Sequence, residues 1–284
     1  MEPASIPSPS TGVLHLGPLP LRAYAACILL GLVVAVVIAQ RRADRRDVGE
    51  ARIADMAVWA VPAGIVGARL YHVITSPDAY FGRGGRPVAA LFVWRGGLGI
   101  WGGVAAGALA AWVWTRHHGI NFFTLADVVA PALAVAQAVG RLGNYFNQEL
   151  FGGPTSLPWA VRIDPGRDGT IPGITTYQPT FLYELLWDLG VAAACVAAER
   201  RFRLHRGQTF ALYVVLYTAG RAWIEALRID PAHRFLGLRL NDYVSVAVFL
   251  AGCVAFRALR RGPLTERVPR GATPPAGPSA AVPG

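Results

Sequence analysis

A chain of 284 residues with 54% hydrophobic and only 15% charged residues, at a mean hydropathy of +0.39, is too apolar for a soluble two-domain enzyme and has the profile of a polytopic membrane protein. Its formal net charge of +10 comes from arginine alone, since no lysine occurs. The arginines gather at the ends of apolar runs, which fits an anionic membrane-lipid surface and argues against nucleic acid as a partner.

The first residues, Met1-Glu-Pro-Ala-Ser-Ile-Pro, carry no basic region, so they are not expected to form a cleaved signal peptide. Tyr24-Ala-Ala-Cys27 has the outline of a lipoprotein cleavage box, but its apolar stretch follows the cysteine instead of preceding it. Seven apolar runs then follow, at about 20–40, 53–74, 97–115, 123–146, 180–198, 208–227 and 242–258. Each is long enough, or nearly so, to cross roughly 30 Å of hydrocarbon as a helix. The predicted fold class is therefore all-α, a multi-pass membrane protein with seven transmembrane helices.

Every second connection is rich in arginine: Gln40-Arg-Arg-Ala-Asp-Arg-Arg46, Arg116-His-His-Gly119, Glu199-Arg-Arg-Phe-Arg-Leu-His-Arg206 and Arg257-Ala-Leu-Arg-Arg261. The positive-inside rule places these four in the cytoplasm, the N-terminus outside and the C-terminus inside. Residues 148–179 form the longest outer connection, punctuated by glycine and proline, and long structured loops are often functional. Residues 1–260 are expected to form one integral-membrane domain and 261–284 a disordered cytoplasmic tail rich in Pro, Gly and Ala. Cys27, Cys195 and Cys253 each lie inside an apolar run and read as small buried hydrophobes. No residue pattern suggests a metal site or a cofactor, and no inverted repeat of the transporter kind is visible.

The chemistry concentrates at the outer end of run four. After the apolar stretch Leu125 to Val139, the chain reads Gly140-Arg-Leu-Gly-Asn-Tyr-Phe-Asn-Gln-Glu-Leu-Phe-Gly152. Charge at membrane depth costs on the order of 2.5–3.5 kcal/mol on insertion scales, so it belongs in a bundle interior or a polar cavity. Gln137, Arg141, Asn144 and Gln148 fall at i, i+4, i+7 and i+11, one helical face. Run six carries a second stripe, Tyr217, Arg221, Glu225 and Arg228. Both runs go outward, so Arg141 with Glu149 and Arg221 with Glu225 reach one depth. Guanidiniums suit bidentate phosphate binding. Two structural ion pairs, Arg141–Glu149 and Arg221–Glu225, are the bland alternative. Run two contributes Gly64, Ala68, Arg69 and Tyr71-His72, with small residues for close helix contact. Run three opens on Trp94-Arg-Gly-Gly97-Leu-Gly-Ile-Trp101-Gly-Gly103, where glycine lets backbone approach a ligand or a second helix. Tyr24 lies near the outer interface, and His117, His118 and His205 read as solvated loop residues. A phosphate held here is either a ligand to be carried or a leaving group to be expelled, and spacing alone does not choose.

The segment 140–152 closely resembles the signature of the bacterial prolipoprotein diacylglyceryl transferases. The likeness extends to Leu21-Arg-Ala-Tyr24, Gly67-Ala-Arg69, Val93-Trp-Arg-Gly-Gly97, Gln178-Pro-Thr-Phe-Leu-Tyr183-Glu184 and Tyr217-Thr-Ala-Gly-Arg221-Ala-Trp-Ile-Glu225. It implies an enzyme of the bacterial plasma membrane that moves the diacylglyceryl group of phosphatidylglycerol to the lipobox cysteine thiol of a prolipoprotein signal peptide. A thioether forms and glycerol phosphate leaves. Arg141 and Arg221 are then expected to bind the phosphate and stabilise its charge as it departs. Asn144, Asn147, Gly152, Tyr24 and Arg69 complete the substrate site, and Glu149 and Glu225 orient the arginines or receive the thiol proton. No cofactor is implied. A transporter or flippase for an anionic lipid or solute is the rival reading. One position departs from the family pattern: Trp101 stands where many members have histidine, and an indole cannot accept a proton. Arg95 likewise replaces a common acidic residue. The proton acceptor is therefore open.

Overall fold

The computed structural model describes residues 5–17, 19–46, 48, 52–229, 234–235 and 238–264. Long helices form at all seven apolar runs: α1 (Ala23–Asp44), α2 (Ile53–Thr75), α4 (Ile100–His117), α5 (Phe122–Asn147), α6 (Thr180–Arg201), α7 (Gln208–Leu227) and α8 (Leu240–Ala258), with a four-residue turn of helix, α3 (Asp78–Phe81), between the second and third. Six of the seven are long and apolar enough to cross a membrane. The exception, α4, is the shortest at 18 residues. Its tryptophans and its closing Arg116-His117 dilute its hydropathy, and the glycines at 96–99 stay outside the helix. Most of the predicted tail, residues 265–284, lies outside the described residues.

The centre of the bundle is α5: half of its most apolar stretch is buried, against 11% for α1 and 6% for α8. One core cluster joins α5 to α1, α2 and α4 through Ala39, Ile53, Trp114, Val128 and Ala132. A second joins it to α6 and α7 through Ala130, Ala134, Val191, Cys195 and Tyr213. Small residues dominate both. In a membrane, association depends on close backbone approach, because lipid is as apolar as leucine. The α2–α4 contact shows this most sharply: a Cβ on Gly67 would collide with the Ala106 methyl and the Gly102 carbonyl.

Two polar layers fix the helix directions. At one end Pro131, which has no N–H, leaves the Asp127 carbonyl free inside α5. Arg42 of α1 supplies the missing donor, with Nη2 at 3.1 Å from that oxygen and Nε at 2.8 Å from the Val128 carbonyl. Arg42 and Arg46 both pair with Glu199 near the end of α6, at 2.9 and 2.6 Å. The Asp127 carboxylate accepts the backbone N–H groups of Gly207 (2.7 Å) and Phe210 (2.9 Å), capping the start of α7. The ends of α1 and α6 and the starts of α5 and α7 are thus at one level. The opposite ends meet in the second layer, described below.

The fold is mostly helical but not purely so. Beyond the second layer, β1 (Ser5–Ile6) pairs in parallel with β4 (Ala160–Arg162), which pairs antiparallel with β5 (Thr176–Tyr177), while β2 (Val13–Leu16) and β3 (Leu19–Arg22) form a hairpin leading into α1. These two- to four-residue strands satisfy backbone groups of the long 148–179 connection and the N-terminal segment. A small core of Phe151, Val161, Ile163, Tyr177 and Phe181 holds this cap on the bundle.

Candidate active site

Three helix ends bring their charges together at the second layer. Glu184, in the second turn of α6, accepts through one oxygen, Oε1, from Arg141 of α5 at 2.9 Å and Arg221 of α7 at 2.6 Å. The other side of Arg221 binds Glu225 Oε2 at 2.6 Å, and Arg228 reaches the same oxygen at 3.2 Å. The carboxylates are 2–3% exposed, while the Arg141 and Arg221 side chains keep 18% and 17% exposure. The acids therefore form the floor of the cluster and the guanidiniums its open edge. An arriving anion meets cations first, with their carboxylates already ordering them.

The end of α5 extends this edge. Asn144 Oδ1 makes a long 3.5 Å contact with Arg141 Nη1, and Asn144 Nδ2 donates to Glu149 at 2.8 Å. Asn147 Nδ2 donates to the same Glu149 oxygen at 3.2 Å. The helix closes on Gln148 in the left-handed region at φ 52°, followed two residues later by Leu150 at φ 57°. Two side-chain-bearing residues in that region within three positions are costly, on the order of 1–3 kcal/mol each. The turn is held from outside: Gln148 donates to the Pro9 carbonyl (2.8 Å) and Asp164 (3.0 Å), and Thr180 Oγ1 donates to the Leu150 carbonyl. Its effect is to swing Glu149 back onto Asn144. Gly152 follows, buried, with its N–H on the Gln178 carbonyl at 2.8 Å. A Cβ there would lie 2.9 Å from the Leu227 carbonyl and 3.0 Å from Gln178 Cβ and Thr180 Cγ2, so glycine lets the 148–179 connection seat against α6 and α7 together.

Of the residues expected in the site, Arg141, Asn144, Asn147, Glu149, Arg221 and Glu225 converge directly. Tyr24 joins them from α1: its ring packs on Gly143, where a Cβ would lie 2.6 Å from Tyr24 Cδ2, next to Asn144. Arg69 is placed differently. It is 7% exposed and gives its donors to backbone carbonyls of the 89–97 loop: Ala90 (2.8 Å), Gly96 (2.6 Å), Gly97 (2.9 Å) and Ala89. It also lies over the Tyr80 ring, 5.1 Å from the centroid. Arg69 thus clamps the glycine-rich segment instead of joining the arginine layer. Gly97, at φ 71°, is where that clamp requires glycine: a Cβ would sit 2.6 Å from Arg69 Nη1. Trp101 is 45% exposed at the start of α4, and the Arg95 side chain lies outside the described residues.

Two geometric expectations are corrected. Arg141 takes Glu184 as its ion-pair partner, not Glu149, because α6 delivers a carboxylate to the guanidinium while Glu149 is occupied by two amides. Gln148 leaves the predicted helical face, because the helix ends at Asn147, whereas Gln137 stays in the bundle and accepts from Tyr213 Oη at 2.9 Å. Glu184 is the residue sequence reasoning passed over. Its signal was an acid inside apolar run five, at a depth where charge needs a reason. Asp188, one turn further along, carries the same signal. It is 1% exposed, and neither carboxylate oxygen has a hydrogen-bond partner among the described residues.

The architecture defines a helical membrane protein with an internal arginine–carboxylate layer open to anions at one end. Residues 11–258 match the family model described as prolipoprotein diacylglyceryl transferase. The chain belongs to that family. It is 57% identical over 274 residues to phosphatidylglycerol–prolipoprotein diacylglyceryl transferase 2 of Streptomyces coelicolor, covering 95% of this chain and 86% of that protein. A Frankia alni protein named phosphatidylglycerol–prolipoprotein diacylglyceryl transferase is 57% identical over 258 residues, covering 91% of this chain and 68% of the relative. One of the same name from Mycobacteroides abscessus is 47% identical over 285 residues, covering 95% and 83%.

Proposed function

We propose that this protein transfers the diacylglyceryl group of phosphatidylglycerol to the cysteine thiol of prolipoproteins. The reading takes it to span the bacterial plasma membrane seven times, N-terminus outside, with residues 1–260 as one membrane domain and the arginine layer toward the outer leaflet. The observation that carries it is the shared Glu184 oxygen beneath two part-exposed guanidiniums. A carboxylate that bridges two arginines holds their forks spaced for a phosphate, and planar guanidiniums bind phosphate oxygens in pairs.

In the reaction the thiol sulfur bonds to the glycerol carbon of the lipid, and the carbon–oxygen bond to phosphate breaks. Negative charge grows on the departing glycerol phosphate. Arg141 and Arg221 are positioned before the reaction, so their stabilisation needs no reorganisation as that charge develops. Glu225 and Glu184 keep Arg221 oriented, and Asn144, itself steadied by Glu149, offers amide contacts to the head group. Tyr24, Asn147 and Gly152 shape the rim. Arg69 supports the site from a distance by holding the 89–97 loop.

The test is direct. Purified protein incubated with phosphatidylglycerol and a lipobox peptide is expected to add a diacylglyceryl mass to the peptide's cysteine, and a Cys→Ser peptide is expected to stay unmodified. Movement of lipid across vesicles without any peptide modification would support the flippase instead.

A further inference from the structure

Asp188 stands apart from every other acid of the arginine layer. Glu184 and Glu225 hold guanidiniums, and Glu149 accepts from two amides. Asp188 is at least as buried as any of them, and no donor reaches either of its oxygens among the described residues. Buried carboxyl groups without partners are rare, because removing them from water costs free energy that nothing returns. Inside a membrane bundle an ionisable side chain marks function more often than packing. Its neighbours sharpen the point. Asp188 follows Glu184 by four residues, which puts both on one face of α6. The charged groups acting on it are Arg141 from α5, Glu184 from its own helix and Arg221 from α7. Tyr213 and Tyr217 of α7 are near enough to feel its charge, and their rings stack on each other 5.8 Å apart. Asp188 thus lies one turn along α6 from the carboxylate that holds the two arginines assigned to the phosphate, with its oxygens uncommitted among the described residues.

We propose that Asp188 is the proton acceptor for the attacking thiol. The inference rests on the transferase reading above. As the sulfur–carbon bond forms, the S–H proton moves to an Asp188 oxygen. The carbon–oxygen bond breaks, and its electron pair leaves with the glycerol phosphate held by Arg141 and Arg221. The protonated Asp188 then passes its proton to that phosphate, whose second ionisation lies near 6, and the carboxylate is restored. A thiol near its ordinary pKa of about 8.5 is a weak nucleophile at neutral pH, so a positioned acceptor is worth on the order of 10²–10⁴ in rate. A base with both oxygens free has no internal donor to give up before it can act. The other glutamates are each engaged in orienting a guanidinium or an amide.

The experiment compares wild type, Asp188→Asn and Asp188→Glu, each purified in detergent, with phosphatidylglycerol and the lipobox peptide from pH 6.5 to 9.5. Initial rates come from the peptide's mass gain, and unfolding temperature is measured in parallel. Asp188→Asn is expected to lose about a hundredfold or more at pH 7. Its deficit should shrink about tenfold per pH unit toward pH 8.5, as solvent supplies the thiolate that the variant cannot generate. Asp188→Glu, which restores a carboxylate, should recover much of the rate at neutral pH. Unfolding temperature of Asp188→Asn should be equal to or above wild type, because an orphaned buried charge has been removed. Near-wild-type activity of Asp188→Asn at pH 7, an equal deficit at every pH, or loss of fold would each overturn the assignment. Absence of product from the wild type would instead overturn the transferase reading itself.

Discussion

Arg141 shows how one residue can serve both the fold and an anion. Its guanidinium is anchored to Glu184, which is almost fully buried, yet its own side chain keeps 18% exposure. Arg141→Lys keeps the charge and can keep the ion pair, but it loses the planar fork that grips two oxygens at once. Activity is expected to fall by roughly a hundredfold, which is about 2.7 kcal/mol of transition-state stabilisation. The unfolding temperature should move little. A joint collapse of activity and stability would mark Arg141 as a structural ion-pair partner only. Much of this was legible in the sequence, because an arginine and amides at helical spacing after an apolar run have few other uses. Its partner was not. Glu184 is 43 residues away from Arg141 in sequence, and nothing in local periodicity tells which of several acids a guanidinium will meet. The left-handed turn at Gln148 was equally hidden: neither Gln148 nor Leu150 is a residue type that announces a left-handed conformation.

At the scale of elements, the helices could be read from the chain because each needs little more than an uninterrupted apolar run. What the runs could not reveal is how tightly they pack. The α2–α4 pair is joined by glycines on both sides, Gly64 and Gly67 against Gly102, Gly103 and Gly107. Gly67 is the tightest point from α2, since a Cβ there would meet a methyl and a carbonyl at once. Arg69 lies two residues further on and holds the 89–97 loop, so separating these helices would also displace that clamp. Gly67→Leu is expected to lower stability by more than the ~1–3 kcal/mol of ordinary overpacking, since backbone must move and not merely a rotamer. The measurement is folded yield and thermal unfolding in detergent, with Gly84→Leu changed in parallel only as a check that added bulk in open space is less harmful; a Cβ at Gly84 meets nothing within 4 Å, although its φ of 83° adds some strain. Equal tolerance of both would mean that the helices do not depend on close approach. The strand-built cap was the least legible element. Strands of two residues have no period to detect, and their pairing links Ser5–Ile6 to residues some 155 positions later.

For the whole molecule, the two polar layers turn a list of helices into an oriented bundle. One layer gathers Arg42, Arg46, Asp127 and Glu199; the other gathers Arg141, Glu184, Arg221 and Glu225. Successive helices α5, α6 and α7 must therefore run in alternating directions. Among the described residues, most exposed arginines outside the first layer, among them Arg41, Arg45, Arg200, Arg201 and Arg203, lie at its end of the bundle, while Arg22, Arg83, Arg86 and Arg162 are exposed at the other. Cytoplasmic loops accumulate arginine because positive charge resists transfer and anionic lipid attracts it. On the orientation proposed above, the first layer faces the cytoplasm and the candidate active site, with its strand-built cap, faces the outside. Single cysteines test the assignment in a background where Cys27, Cys195 and Cys253 are replaced. Asp168→Cys, exposed in the 148–179 connection, is expected to react with a membrane-impermeant thiol reagent in intact cells. Arg203→Cys, exposed between α6 and α7, is expected to react only after the cells are opened. The reverse pattern would place the arginine layer at the cytoplasmic face. A thiol substrate exported across the membrane could not then reach Arg141 and Arg221, and the transferase reading would fail on geometry even with every residue of the site in place.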